Sequence, residues 1–241
     1  MRLLQLHDDG KFSLAEYLGN NIPRYAILSH TWGSDNEEVT YQNLLHSTGN
    51  DKIGFRKLTF CGNQAKKDGL QHFWVDTCCI DKSSSAELSE AINSMFRWYQ
   101  KAERCYVYMA DVSRCNVDGD GDSSQRWKPA FRQSRWFTRG WTLQELIAPG
   151  STEFFCREET YLGNKRSLEQ TIHEITGIAI GALRGDPLSQ YSIDERLSWG
   201  ARRKTKREED EAYCLLGILG VYMSLIYGEG QENAFARLEE Q

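Results

Sequence analysis

Apolar and polar positions along the chain change period several times, and the changes mark the elements. Leu3, Leu4 and Leu6 precede Asp8-Asp9-Gly10, with Phe12 and Leu14 after it, which predicts a hairpin turning at Asp-Gly. Tyr25-Ala26-Ile27-Leu28-Ser29 is a short unbroken apolar run after Pro23, the pattern of a strand buried on both faces. From Lys52 to Gly69 the spacing turns helical, with Ile53, Leu58 and Ala65 apolar and Gly69 as the stop. His72 to Asp76 predicts a second core strand. Ser84-Ser85-Ala86-Glu87 then has the form of a capping box, and Leu88, Ile92, Met95, Phe96 and Tyr99 keep helical period behind it. Cys105 to Ala110 predicts a third strand, Trp136 to Ile147 a helix ending near Pro149, and Thr152 to Cys156 a fourth strand. Strands alternating with helices predict an α/β fold around a mainly parallel sheet. Beyond about residue 165 the pattern becomes helical, over 168–176, 193–201, 208–219 and 232–240, which predicts an appended helical subdomain.

Charge and composition narrow the function classes. The 241 residues are 40% hydrophobic and 26% charged, enough for one large core. A net charge of −5 argues against a chain built to hold nucleic acid. The lack of an apolar run of membrane-spanning length, and of a signal-peptide core after Met1-Arg2, points to a cytoplasmic location. Seven cysteines, an odd number without CxxC spacing, predict reduced thiols and no metal site. Asp118-x-Asp120-x-Asp122 opens like a calcium loop, but Ser123 and Pro129 stand where that loop needs Gly and Glu.

Three segments carry candidate chemistry. On a helix Trp141 and Glu145 lie about 40° apart, with Leu143, Leu146 and Ile147 roughly on the opposite side. An indole beside a carboxylate suits a flat cationic ring; a half-buried Trp beside a solvated Glu fits the spacing as well. Ser29-His30-Thr31-Trp32-Gly33 follows the first parallel strand. A 2-1-3 strand order would put it in the crevice where such sheets bind ligands, opposite Trp141 and Glu145. A tight loop closed by Trp32 and a hydrogen-bonded His30 is the alternative. Asp76-Thr77-Cys78-Cys79 ends the second strand as a polar site wall or, with more weight, as a hydrogen-bonded loop. The basic run 202–207 followed by Glu208-Glu209-Asp210-Glu211 reads as a charged connection between helices.

These segments resemble the heterokaryon incompatibility (HET) domain of filamentous fungi. The matching stretches are YAILSHTWG at 25–33, FWVDTCCIDK at 73–82, AINSMFRWYQKAERCYVY at 91–108, SRWFTRGWTLQELIAP at 134–149, KREEDEAYCLLGI at 206–218 and IYGEG at 226–230. The resemblance covers nearly the whole chain. Within the family it is strongest to the N-terminal domain of vegetative incompatibility proteins that also carry nucleotide-binding and WD-repeat regions. It implies a single domain over 1–241, with a core over 1–165 and the helical part over 166–241. It also implies a role in fungal innate immunity and programmed cell death.

HET domains are more distantly similar to TIR domains, many of which cleave NAD⁺ with a glutamate in a Trp-x-x-x-Glu pattern. Trp141-Thr142-Leu143-Gln144-Glu145 fits that pattern, whereas Ser29-His30-Thr31-Trp32 is not the usual TIR loop. The resemblance implies a TIR-like, flavodoxin-like sheet and Glu145 as the catalytic residue of an NAD⁺ glycohydrolase active on clustering into oligomers. His30, Thr31, Trp32, Gly33, Asp76, Arg139 and Trp141 would bind the substrate, with no cofactor and no metal. The other reading is a non-enzymatic oligomerising death-signalling module that recruits partners through helix faces such as Leu215–Leu219.

Overall fold

The computed structural model describes residues 1–19, 21–114 and 126–241, so Cys115 and the Asp118–Asp122 run lie outside the described residues. A seven-stranded mixed sheet organises the chain. In chain order its strands are β1 (Arg2–Leu6), β2 (Phe12–Glu16), β3 (Tyr25–His30), β4 (His72–Trp74), β5 (Arg104–Met109), β6 (Thr152–Cys156) and β7 (Tyr161–Asn164). Across the sheet the order is β2-β1-β4-β3-β5-β6-β7. The central four are parallel, and the three outer pairings, β1 with β2, β1 with β4 and β6 with β7, are antiparallel. The three predicted core strands therefore lie in the 2-1-3 order that opens a crevice beyond His30.

The Asp-Gly hairpin forms as predicted, with Leu4 opposite Leu14 and Gly10 at φ +80° in the turn. It also joins the main sheet, through β1 against β4. β4 is shorter than the apolar run suggests. It stops at Trp74 because the Val75 carbonyl accepts from the amides of Cys78 and Cys79, turning the chain before it can pair further. The hairpin strand β7 was not legible in Tyr161-Leu162-Gly163-Asn164, a run too short and too polar to signal one.

Before the last core strand come α1 (Tyr41–Leu45), α2 (Phe55–Lys67), α3 (Ser85–Lys101), α4 (Lys128–Arg132) and α5 (Thr142–Ile147). Helices cover both faces, as the alternation of side chains along a strand requires. Tyr106 and Phe155 meet Phe60 of α2 on one face. Phe154 meets Phe131 of α4 and Trp136, and Cys105 reaches the Glu145 carbonyl of α5, on the other. Ser84 caps α3, but the predicted box is only half formed: Glu87 turns instead to Arg2 and to the Asp81 amide.

The remaining helices are α6 (Glu169–Thr176), α7 (Ile180–Arg184), α8 (Ile193–Ser198), α9 (Asp210–Tyr213), α10 (Leu216–Leu219) and α11 (Gln231–Glu239). The predicted helix over 208–219 is thus two short ones. Leu215, Leu216 and Ile218 are buried, so the face offered above for recruiting partners is largely spent on packing. α10 docks on α3 at Gly217, where an added Cβ would overlap Phe96. Gly217→Ala is expected to cost about 1–3 kcal/mol through overpacking, read from the urea midpoint. No helix among the described residues is long and apolar enough to cross a membrane.

Candidate active site

The predicted helix over 136–147 is interrupted, and the interruption shapes the site. Arg135–Thr138 forms a 3₁₀ turn, and Arg139 is extended. The Gly140 amide donates to the Lys204 carbonyl at 2.9 Å, and the Lys204 amide donates to Thr138 at 2.7 Å. Held against this later segment, the chain re-enters a helix at Thr142, and Trp141 stands at its start instead of one turn inside a longer helix. At the other end, the Lys165 ammonium donates to the carbonyls of Leu146, Ile147 and Pro149, satisfying the open end of α5.

This arrangement places Trp141 and Glu145 on a pocket of about 270 Å³ beyond the carboxyl ends of β3 and β4. His30, Trp32, Asp76 and Arg139 line the same pocket, so six of the eight residues singled out in the sequence come together. Thr31 and Gly33 do not line it. The Thr31 carbonyl accepts from Lys57, and the Gly33 amide donates to Glu38, which makes both of them parts of the loop's internal bonding.

Glu145 is not the solvated acid that helical geometry alone allows. It is buried, and the Ser29 hydroxyl donates to its Oε2 at 2.5 Å while accepting from the Trp136 indole at 2.8 Å. Burial first, then the negative charge of Asp76, raise its pKa to about 8, against the hydrogen bonds from Ser29 and Tyr99 and the charge of Arg139. Asp76 goes the other way. Burial pushes it up, but Lys82, His30 and the Trp32 indole outweigh that and hold it at about 2. Two carboxyls lining one pocket are thus driven apart, Glu145 towards the neutral acid and Asp76 towards the anion. That separation is how proteins assign acid and base roles.

His30 differs from its expected role as a substrate ligand. Its side chain is 2% exposed and both ring nitrogens are engaged. The Lys57 ammonium donates to Nδ1 at 3.2 Å, which leaves the ring proton on Nε2, donating to Asp76 at 3.1 Å. Lys57 is itself buried and paired with Glu38. A line of groups, Glu38, Lys57, His30, Asp76 and the Trp32 indole, therefore fixes the Asp76 carboxylate. His30 positions Asp76 and presents no free nitrogen to a ligand.

Sequence reasoning missed the far wall. Lys206, Arg207, Asp210 and Tyr227 line the pocket, together with Lys82. The Asp210 carboxylate accepts from the Trp141 indole at 3.3 Å and from the Tyr227 hydroxyl at 2.9 Å. The adjacent Glu209 accepts from the amides of Gly228 and Gly230, clasping the IYGEG turn in place. In the sequence these acids read as part of a charged connection between helices; the signal that could have placed them is that both they and IYGEG fall within the stretches that resemble the family.

The chain carries the heterokaryon incompatibility domain of incompatibility proteins: residues 25–120 match the family model described as heterokaryon incompatibility protein (HET). Along its entire length it is 56% identical to the vegetative incompatibility protein HET-E-1 of Podospora anserina. The chain spans 18% of that relative, which is a much larger protein. No solved structure matches it.

Proposed function

We propose that this chain is the death-inducing domain of a fungal incompatibility protein and that it acts by hydrolysing the nicotinamide–ribose bond of NAD⁺. The observation that carries the reading is the pairing of Asp76 and Glu145, with opposed proton affinities, in a pocket that also presents Trp32 and Trp141. A cationic nicotinamide stacks on an indole and is balanced by the Asp76 carboxylate. Its positive charge drives the proton off Glu145 into solvent, and this is the proton that the overall hydrolysis releases. As the C1′–N bond breaks, the electron pair leaves with neutral nicotinamide, and the ribosyl cation forms between the two carboxylates. Water then adds at C1′, and Glu145 takes the proton that water sheds, returning to its neutral form.

The protein forced to cluster is expected to release nicotinamide from NAD⁺, measured by chromatography, with Asp76→Asn reduced at least tenfold. Clustered protein that kills cells while leaving NAD⁺ intact would overturn the enzymatic reading in favour of recruitment of partners. Self-association, as oligomers or filaments, would be the switch, under control of regions such as nucleotide-binding or WD-repeat modules in a larger protein.

A further inference from the structure

Three cations on the pocket wall have no ion-pair partner among the described residues: Lys82, Arg139 and Arg207. Their neighbour Lys206 differs, since Asp35 holds it at 2.6 Å. Two of the three are held over aromatic rings instead of against acids. The Lys82 ammonium lies 3.7 Å from the centre of the Trp32 ring, and the Arg207 guanidinium 4.1 Å from that of Tyr227. A ring face orients a cation without occupying its N–H donors, so those donors remain available to a ligand even though Lys82 also acts through space on Asp76. These cations come from separate segments, after β4, before α5 and before α9, and the fold brings them to one pocket. In a chain of net charge −5 this is a local reversal of sign.

We infer that Lys82, Arg139 and Arg207 form a subsite for the phosphate of a nucleotide whose ribosyl end lies against Asp76 and Glu145. The pocket thereby selects phosphorylated pyridine nucleotides over the free nucleoside. The choice of pyridine nucleotide rests on the NAD⁺ reading above. A planar guanidinium donates to two phosphate oxygens at once, and three cations exceed what one carboxylate ligand would need. At about 270 Å³ the pocket holds only part of a dinucleotide, which is consistent with a bound ribosyl phosphate inside it and the second nucleoside outside.

The test is calorimetric binding of nicotinamide mononucleotide and nicotinamide riboside, which differ by one phosphate. It uses the full chain as wild type and as Glu145→Gln to limit turnover. The mononucleotide is expected to bind at least tenfold more tightly, and rising salt should erode that preference. Lys82→Gln with Arg207→Gln should abolish it in a protein that still unfolds in a single cooperative transition. Equal binding of the two ligands, binding of neither, or a preference that survives in the double variant would overturn the subsite. Inorganic phosphate binding as tightly as the mononucleotide would overturn its assignment to a nucleotide. A preference that holds while clustered wild type releases no nicotinamide would instead sink the hydrolysis reading and leave the subsite standing.

Discussion

Glu145→Gln is expected to give a folded protein whose clustered form releases nicotinamide at least a hundredfold more slowly than wild type. Loss of a group that acts on the developing charge commonly costs about 10²–10³ in rate. The amide keeps the shape of the acid and can still accept from Ser29, so packing is preserved. A second readout separates a role for this carboxyl from a general structural loss. The folded pKa of about 8 lies above the ordinary 4.5 of a glutamate. Between those values the folded chain holds a proton that the unfolded chain has lost. Stability from this group is therefore fully present below about pH 4.5 and falls as pH rises towards 8, by up to about 1.4 kcal/mol per pH unit. The glutamine variant lacks that slope, so its stability relative to wild type should grow between about pH 5 and about pH 8. Parallel urea midpoints for the two proteins across that range would show that Glu145 is not held as a neutral acid.

Lys57→Met is expected to destabilise the fold by about 3–5 kcal/mol, the usual cost of removing one partner of a buried ion pair. Glu38 is 4% exposed, and its Oε2 already has no hydrogen-bond partner. Without Lys57 its carboxylate would keep only the Gly33 amide. The same change removes the donor that fixes the His30 tautomer, so Asp76 should lose its ordered partner as well. Adding Glu38→Gln should recover most of the stability, because the stranded charge is gone, but should not restore nicotinamide release. Equal stability of Lys57→Met and wild type in urea would refute the claim that this buried pair holds the loop after β3.

Periodicity carried the central sheet and the crevice, because buried parallel strands advertise themselves as continuous apolar runs. Tyr25–Leu28 is buried throughout, and no amphipathic alternative competes for it. Trp141 and Glu145 were readable as neighbours by spacing alone. Their surroundings were not, since the break at Arg139-Gly140 is imposed by Lys204, more than sixty residues later. The depth of Glu145 escaped for the same reason: Ser29 and Trp136 enclose it from other elements. The opposite wall was hidden because Asp210 and Arg207 sit in a run of mixed charge that looks solvated. Only the hydrogen bonds from Trp141 and Tyr227 to Asp210 turn it inward. His30 shows the reverse error, a residue of reactive type whose two nitrogens are consumed by its neighbours.

The wall made by Arg207, Asp210 and Tyr227 sets the order in which this pocket can come into existence. The core strands, Asp76 and Glu145 are all synthesised before residue 160, yet the Trp141 indole meets its partner only when Asp210 has been made. Asp210 in turn acquires its second donor only with Tyr227. A nascent or prematurely ended chain therefore carries both carboxyls without an assembled site. For a domain proposed to kill the cell that makes it, translation itself works as a delay line, withholding competence until the segment carrying Tyr227 has been laid down.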